Sequence, residues 1–321
     1  MLLPEKGRVA LPEVKEHELV IVGGGAAGLT AGIYATRYGL DLVLLTIGAP
    51  GGQTATATSI ENFPGFPEGI TGPELMLRLT EQATNFGVTF ESAEVQEIVA
   101  EGGRWRLRCG EADYLAAAVI LTVGASPRRL KVPGERDLHG RGVSYCATCD
   151  GFFYRGLTVA VIGGGNTAIE EALYLADIAQ KVYVIHRRDE LRAERILAER
   201  AFANEKLELV WDTIPTRILG EDVVTGIELQ NVKTERESRL QVDGVFVAVG
   251  YEPNTKWLGD LLELKDGFIV TDMHMRTSQP GIFAAGDVRD TPLRQVTTAV
   301  GDAAIAAASA YKFVAEWRLS G

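Results

Sequence analysis

The sequence predicts an α/β protein of two domains, each built in three layers around a largely parallel sheet. Three observations carry this reading. The chain has 321 residues, which at roughly 150 per domain gives two domains. Apolar residues make up 46% and charged residues 23%, the proportions of a globular protein in water and not of a disordered or membrane-embedded chain. Finally, a series of strand, glycine turn, helix and strand occurs twice. Its first glycines, Gly23 and Gly163, lie 140 positions apart (163 minus 23), one unit per domain and far beyond a solenoid period.

Charge narrows the partners. Lys plus Arg total 32 against 43 Asp plus Glu, a formal charge of -11 that repels nucleic-acid phosphate and anionic membrane surfaces, so neither is expected as a partner. Met1 to Glu18 mixes charges with prolines and has no apolar run of signal-peptide length. No later stretch approaches the ~18 uncharged apolar residues of a spanning helix, and the expected compartment is cytoplasmic. The 36 glycines are in excess, about one residue in nine against a usual ~7%, and they are clustered.

The first cluster follows the β-branched run Glu18 to Val22. Gly23-Gly-Gly-Ala-Ala-Gly28 then leads into a helix-like stretch, Leu29 to Tyr38, and a second strand, Leu42 to Leu45. Each glycine has a task in a Rossmann-like dinucleotide site. Gly23 permits the tight turn, Gly25 lets N–H groups approach a pyrophosphate, and Gly28 lets the helix lie close on the strand, its N-terminus facing the phosphates. Ala26 and Ala27 supply the N–H groups of that terminus. The series repeats as strand Leu157 to Ile162, turn Gly163-Gly-Gly-Asn-Thr-Ala168, helix Ile169 to Ile178 and strand Val182 to Ile185, which makes Gly163, Gly165, Asn166 and Thr167 candidate contacts. Two fingerprints suggest two dinucleotides held at once, the arrangement needed to pass a hydride between them.

The second site indicates which dinucleotide it takes. Where an NAD site usually ends its second strand with an acid for the ribose 2′-OH, this chain has His186, Arg187 and Arg188, with Arg192 four residues on. Guanidinium groups bind a 2′-phosphate by paired, charge-assisted hydrogen bonds, so the expected cofactor is NADPH. The corresponding position of the first site is Thr46, which leaves that ribose contact open.

Three cysteines are too few for a secreted disulfide framework, but Cys146 and Cys149 form a C-x-x-C just before the second fingerprint. There is no second pair, and His17, His139, His186 and His274 have no ligand spacing, so no metal site is expected. Two thiols at this spacing can close a disulfide and exchange it. Asp150 follows directly, either to hold or deliver a proton as the disulfide opens, or as a turn or capping residue. Cys109 is expected to be structural. Nicotinamide passes electrons as hydride, whereas a disulfide opens by nucleophilic attack, and a flavin between them joins the two; the first fingerprint is therefore read as an FAD site.

With these residues in place the chain resembles the low-molecular-weight, bacterial-type thioredoxin reductases, FAD- and NADPH-dependent disulfide reductases. The resemblance runs from Val22 to about Ala315. It rests on Gly23 to Gly28, Gly51-Gly-Gln53, Glu61-Asn-Phe-Pro-Gly65, Cys146 to Asp150, Gly163 to Ala168, His186 to Arg188 with Arg192, Gly286-Asp287 and Arg294-Gln295. The resemblance implies that Gly52, Gln53, Asn62 and Gly124 contact FAD and that Asp287 binds its ribityl or pyrophosphate region. Arg294 and Gln295, at the start of an Ala-rich C-terminal helix, would lie by the flavin ring. It also implies an NADPH domain, residues 128–252, inserted into an FAD domain of residues 1–127 and 253–321, the links being Thr122 to Pro127 and Gly250 to Asn254. A homodimer that reduces thioredoxin is implied as well, with Cys149 against the flavin, and the attacking cysteine stays open. Val123 stands where the family usually has Ala, and the leader Met1 to Glu16 has no assigned role. Rival readings keep the cofactors but change the acceptor, to another disulfide or to oxygen, or make the chain a redox sensor that holds FAD without turnover.

Overall fold

A computed structural model describes residues 13–57 and 60–320. By contact the chain forms two compact units, one from Met1–Thr56, Thr71–Ala125 and Pro253–Gly321, the other from Ala57–Ile70 and Ser126–Glu252. Residues 57–70, which the sequence reading assigns to the first domain, group with the second unit.

Along the first unit run β1 (Glu13–Val22), α1 (Ala26–Arg37), β2 (Leu42–Thr46), α2 (Gly72–Asn85), β3 (Thr89–Ser92), β4 (Glu97–Glu101), β5 (Arg104–Arg108) and β6 (Ala112–Leu121). The chain leaves it through β7 (Ala125–Pro127). The second unit holds β8 (Val143–Ser144), α3 (Ala147–Asp150), β9 (Thr158–Ile162), α4 (Asn166–Ile178), β10 (Lys181–Ile185), α5 (Arg195–Ala203), β11 (Leu207–Val210), β12 (Thr213–Leu219), β13 (Gly226–Asn231), β14 (Glu237–Leu240) and β15 (Gly244–Val247). The return strand β16 (Tyr251–Pro253) pairs with β7, so the outgoing and incoming links run side by side. A small hairpin of β17 (Leu264–Lys265) and β18 (Phe268–Ile269), then β19 (Ile282–Ala284) and α6 (Val296–Ser320), complete the first unit.

The main sheet of the first unit has the order β3-β2-β1-β6-β5-β4, with β19 also on β6. β6 is long enough to carry two neighbours on one edge: its early residues pair antiparallel with β5 and its last three parallel with β19. The last four residues of β1, Leu19 to Val22, are apolar on both faces because they are buried on both. Leu19 and Ile21 face a core shared with α1 and α6, while Val20 and Val22 face Val95, Ile98 and Leu258 on the other side. α6 presents Ala303, Ala306, Ala307, Ala310 and Val314 at helical spacing, all fully buried, and such small side chains let it lie close to α1.

The second unit repeats the plan with sheet order β11-β10-β9-β15-β8 and a separate antiparallel sheet β12-β13-β14. Val159 and Val161 of β9 face α4, and Ala160 and Ile162 face the residues of the small sheet.

Three element boundaries differ from the sequence reading by three residues or more. β1 starts at Glu13, because Glu13 to His17 pair residue by residue with Ala112 to Ala116. The ion pairs Lys15–Glu91 (2.7 Å) and Arg104–Glu16 (2.8 Å) hold this polar stretch, which has no apolar run to reveal it. The remainder of the leader lies outside the described residues. α1 and α4 begin at Ala26 and Asn166, each three residues before the expected start, with Gly25 and Gly165 as extended N-caps.

Candidate active site

In the first unit the glycine turn is fixed from behind. Gly23 donates to the Leu45 carbonyl at 2.8 Å, and the Thr122 hydroxyl reaches the carbonyls of Val22 and Gly23, both at 2.9 Å. Gly23 has φ +112, and a Cβ there would stand 2.5 Å from the Thr122 carbonyl oxygen. A Cβ on Gly28 would stand 1.8 Å from the Gly23 carbonyl oxygen, so only glycine permits α1 to cross here. At Gly25, in contrast, among the described residues a Cβ would meet nothing within 4 Å and no side chain caps the first N–H groups of α1. Unfilled space before an uncapped helix N-terminus fits a phosphate.

Other candidate residues converge on this turn. Gly51 donates to the Gly24 carbonyl at 2.9 Å, and a Cβ on Gly52 would lie 3.2 Å from the Gly25 Cα, which lays the Gly52–Thr56 turn, with Gln53, over the glycine turn. The Gly286–Val288 turn covers the start of α1, since a Cβ on Gly286 would meet the Ala27 Cβ at 3.2 Å. Within it burial pushes the Asp287 carboxyl up to about 6, with Arg294 opposing and Asp302 adding to the shift. Asp302 in turn accepts from Arg289 at 2.6 Å and from the Gly286 N–H at 3.3 Å, an ion pair the sequence reading does not anticipate. The Arg294 guanidinium lies 4.0 Å from the centre of the Phe268 ring, and the Gln295 N–H donates to Thr298 at 3.1 Å. Gly124 has φ +66 and its carbonyl accepts from the Asn254 N–H at 3.1 Å. Asn62 lies in the 57–70 segment, in the second unit, so the structure does not group it with this turn.

The second glycine turn has the same build. Gly163 donates to the Ile185 carbonyl at 3.1 Å, and a Cβ on it would stand 2.4 Å from the Ala248 carbonyl oxygen. A Cβ on Gly164 would strike the His186 ring at 2.5 Å, whereas at Gly165 the space is again open. The Arg192 N–H donates to the Gly164 carbonyl at 2.7 Å, which brings the residues after β10 back to the turn. Arg187, Arg188 and Arg192 are exposed. His186 is buried, and its pKa is lowered by burial and then by Arg192, Arg188 and Arg187, so the ring is neutral; its Nε2 has no partner among the described residues. Asn166 is held by Glu194, accepting from its N–H at 2.8 Å and donating to its carboxylate at 3.1 Å, while Thr167 is exposed on the first turn of α4.

Cys146 and Cys149 form a disulfide, with Cα atoms 5.3 Å apart, at the start of α3 in the second unit. The Cys146 carbonyl accepts from the N–H groups of Cys149 (3.3 Å) and Asp150 (3.2 Å), and the Cys146 N–H donates to the buried Ser144 hydroxyl at 3.1 Å. Asp150 ends α3 and makes no capping bond. Burial raises its pKa, and Glu61 adds to the rise against a hydrogen bond from Ser144 and the proximity of His139. The loop leading to the cysteines is anchored by buried Glu135, which accepts from the N–H groups of Leu130 (2.8 Å) and Lys131 (2.7 Å) and from the Tyr145 hydroxyl (2.9 Å). Ser144 and Glu135 leave no motif in the sequence. Burial pushes the Cys109 thiol up to about 12, which leaves it unreactive. Among the described residues no helix is long and apolar enough to cross a membrane, and no group of three or more His, Cys, Asp or Glu residues could hold a metal.

Residues 17–303, which span both glycine turns and the disulfide, match the model of the pyridine nucleotide-disulphide oxidoreductases. The chain belongs to that family. Among the pyridine nucleotide-disulphide oxidoreductases it is 43% identical over 311 residues to the thioredoxin reductase of Listeria monocytogenes, covering 96% of this chain and 97% of that one. It is 42% identical over 309 residues to that of Bacillus subtilis, covering 95% and 97%. The crystal structure of thioredoxin reductase from Streptococcus pyogenes superposes with a TM-score of 0.89 at 46% identity, over 94% of this chain and 99% of that one. The α/β fold of two Rossmann-like domains and the cofactor pair FAD and NADPH follow from this membership.

Proposed function

We propose that this chain is an NADPH-dependent thioredoxin-disulfide reductase in which Cys146 and Cys149 are the exchanging pair. The observation that carries the reading is the disulfide itself, set at the start of α3 beside a carboxyl whose pKa burial raises, in the unit that holds the arginine-flanked glycine turn. The thioredoxin reductases among its relatives support thioredoxin as the acceptor.

Bound FAD supplies the two-electron relay between a hydride donor and a disulfide. For that group, Gly23, Gly25, Ala26, Ala27 and Gly28 offer the pyrophosphate an uncapped helix start. Gly52, Gln53, Gly124, Asp287, Arg294 and Gln295 hold the remainder, and the resemblance alone supports Asn62 as a further contact. The second turn, with Gly163, Gly165, Asn166 and Thr167, takes the NADPH pyrophosphate, and Arg187, Arg188 and Arg192 pair with the 2′-phosphate. His186, buried behind Gly164, shapes that edge of the site from beneath the turn.

On this reading the first unit corresponds to the FAD domain and the second to the inserted NADPH domain, the chain passing between them at 125/126 and 252/253, with residues 57–70 also grouped with the second. In the exchange, one cysteine thiolate attacks the thioredoxin disulfide and forms a mixed disulfide. The second cysteine then displaces the substrate thiol, so that the enzyme pair is oxidised as thioredoxin gains two thiols. Asp150, whose pKa burial raises and which lies beside the Ser144 hydroxyl, takes up and returns a proton as charge appears and disappears on the adjacent sulfur. The resemblance supports a cytoplasmic homodimer, and the formal charge of -11 disfavours anionic membrane surfaces.

The test is NADPH consumption by the purified protein in the absence of air, with thioredoxin and an insulin disulfide as final acceptor and NADH run alongside. Rapid turnover that requires thioredoxin and prefers NADPH is expected. Flavin bleaching by NADPH with no turnover on adding thioredoxin would overturn the acceptor and leave both nucleotide sites standing. In Cys149→Ser, NADPH still bleaches the flavin and disulfide reduction stops; retained reduction would remove the pair from the relay.

A further inference from the structure

Behind the cysteine helix lies a carboxyl to which the mechanism above gives no task. Glu171, in the second turn of α4, accepts a hydrogen bond on Oε1 from the Ala147 N–H at 3.4 Å, the first N–H after Cys146. Its Oε2 is buried and has no hydrogen-bond partner among the described residues. The contact is made within an apolar core to which Ala147, Ala168, Ala172 and Leu175 belong. The charged group acting on it is Glu170 of its own helix, and burial pushes the Glu171 carboxyl up to about 7. The charged and titratable groups of the neighbouring elements face elsewhere. Asp150 of α3 engages Ser144, His139 and Glu61, and Tyr154, in the turn after α3, faces Asp150 and Asp243. Lys206 spends its ammonium on the carbonyls of Ala176 and Ala179 near the far end of α4.

We propose that Glu171 is a positioning residue for the redox pair, which occupies the Ala147 N–H and holds the reduced cysteines as thiols near neutral pH. Two physical effects act together. An N–H at the start of a cysteine-bearing turn stabilises a thiolate, and Glu171 takes up that donor. A carboxylate in an apolar surrounding also disfavours a second negative charge nearby, so carboxyl and thiol titrate as a coupled set. The inference rests on Cys146 and Cys149 being the exchanging pair.

The experiment compares wild type with Glu171→Gln, Glu171→Asp and Glu171→Ala as FAD-loaded proteins, reduced anaerobically with NADPH. Iodoacetamide alkylation of each cysteine is followed against pH by peptide mass spectrometry, alongside thermal unfolding. Gln keeps an acceptor for Ala147 and removes the charge. It is expected to lower the apparent pKa of the more reactive cysteine by about one unit, roughly tenfold more thiolate below neutrality, with the melting temperature retained. Asp is expected to move the profile back toward wild type, and Ala to shift both profile and melting temperature. Superimposable wild-type and Gln profiles would overturn the proposal, as would a Gln shift matched by a loss of stability as large as that of Ala. If NADPH leaves the wild-type cysteines unalkylated, the relay reading fails separately, and dithiothreitol reduction of the same proteins still decides the role of Glu171.

Discussion

Gly25 and Gly28 stand three residues apart in one turn, and the structure gives their replacement opposite consequences. An Ala at Gly28 would place its Cβ 1.8 Å from the Gly23 carbonyl oxygen and 2.9 Å from the Thr122 hydroxyl. A carbon–oxygen contact needs about 3.3 Å, so α1 must withdraw by about 1.5 Å (3.3 minus 1.8) from a sheet against which its apolar face is fully packed. Overpacking of this kind costs about 1–3 kcal/mol, and strain on the Thr122 bonds to Val22 and Gly23 adds about 1 kcal/mol. At about 2–4 °C per kcal/mol, a cost near 3 kcal/mol lowers the melting temperature of the flavin-stripped protein by roughly 6–12 °C.

An Ala at Gly25 meets no atom within 4 Å, and φ there is -76, open to any residue. The stripped protein should then change by less than about 1 kcal/mol, the reduced entropy of the unfolded chain offsetting the weaker N-cap. Its Cβ nevertheless stands before the first N–H groups of α1, and flavin affinity should fall about tenfold or more, the loss of about 1.4 kcal/mol or more of phosphate contact. Flavin per chain on purification, titration of the stripped protein with FAD, and melting of the stripped protein separate the two effects. Wild-type flavin affinity in Gly25→Ala would refute the placement of the pyrophosphate against this helix start.

Replacing Arg187 and Arg188 together by Ala should lower kcat/KM for NADPH about 10- to 100-fold, from lost charge-assisted bonds of about 1.5–3 kcal/mol at exposed positions, and leave NADH nearly unaffected; equal losses would refute the 2′-phosphate assignment. Asp287, pushed up to about 6 from 3.8, binds its proton more tightly folded than unfolded, so it costs nothing below about pH 4. Stability of the flavin-stripped protein then falls as pH rises from about 4 to about 6, by about 2–3 kcal/mol, and Asp287→Asn should flatten that part of the stability curve; parallel wild-type and variant curves would count against it. Glu135→Ala strands two N–H groups and the Tyr145 hydroxyl, and should cost about 3 kcal/mol or more in denaturant unfolding of the second unit; a change below about 1 kcal/mol would contradict the anchoring role.

What was legible in the sequence follows from how local each constraint is. Gly23, Gly28 and Gly163 are required by backbone that their own unit folds against them, and the requirement is written as spacing. The cysteine pair is legible for the same reason, since three positions suffice to close its ring. The start of β1 was hidden, because Glu13 to His17 are held by pairing with β6, about a hundred residues away, and by ion pairs that leave no apolar alternation. The helix starts precede the apolar periodicity because their caps are glycines of the turn, while the next N–H groups already belong to the helix.

The buried carboxyls form a third class. Glu135 and Glu171 carry no motif, and each becomes informative only through what the fold sets opposite it: two N–H groups and a phenol for Glu135, a single N–H for Glu171. Glu135 has every bond a carboxylate needs in a buried site and so serves as an anchor. Glu171 has an oxygen without a partner among the described residues, which leaves its ionisation, on the proposal above, to respond to charge at the cysteine turn whose N–H it holds. The number of bonds each receives separates a structural carboxyl from a responsive one, and that number is set by tertiary packing, which sequence periodicity does not record.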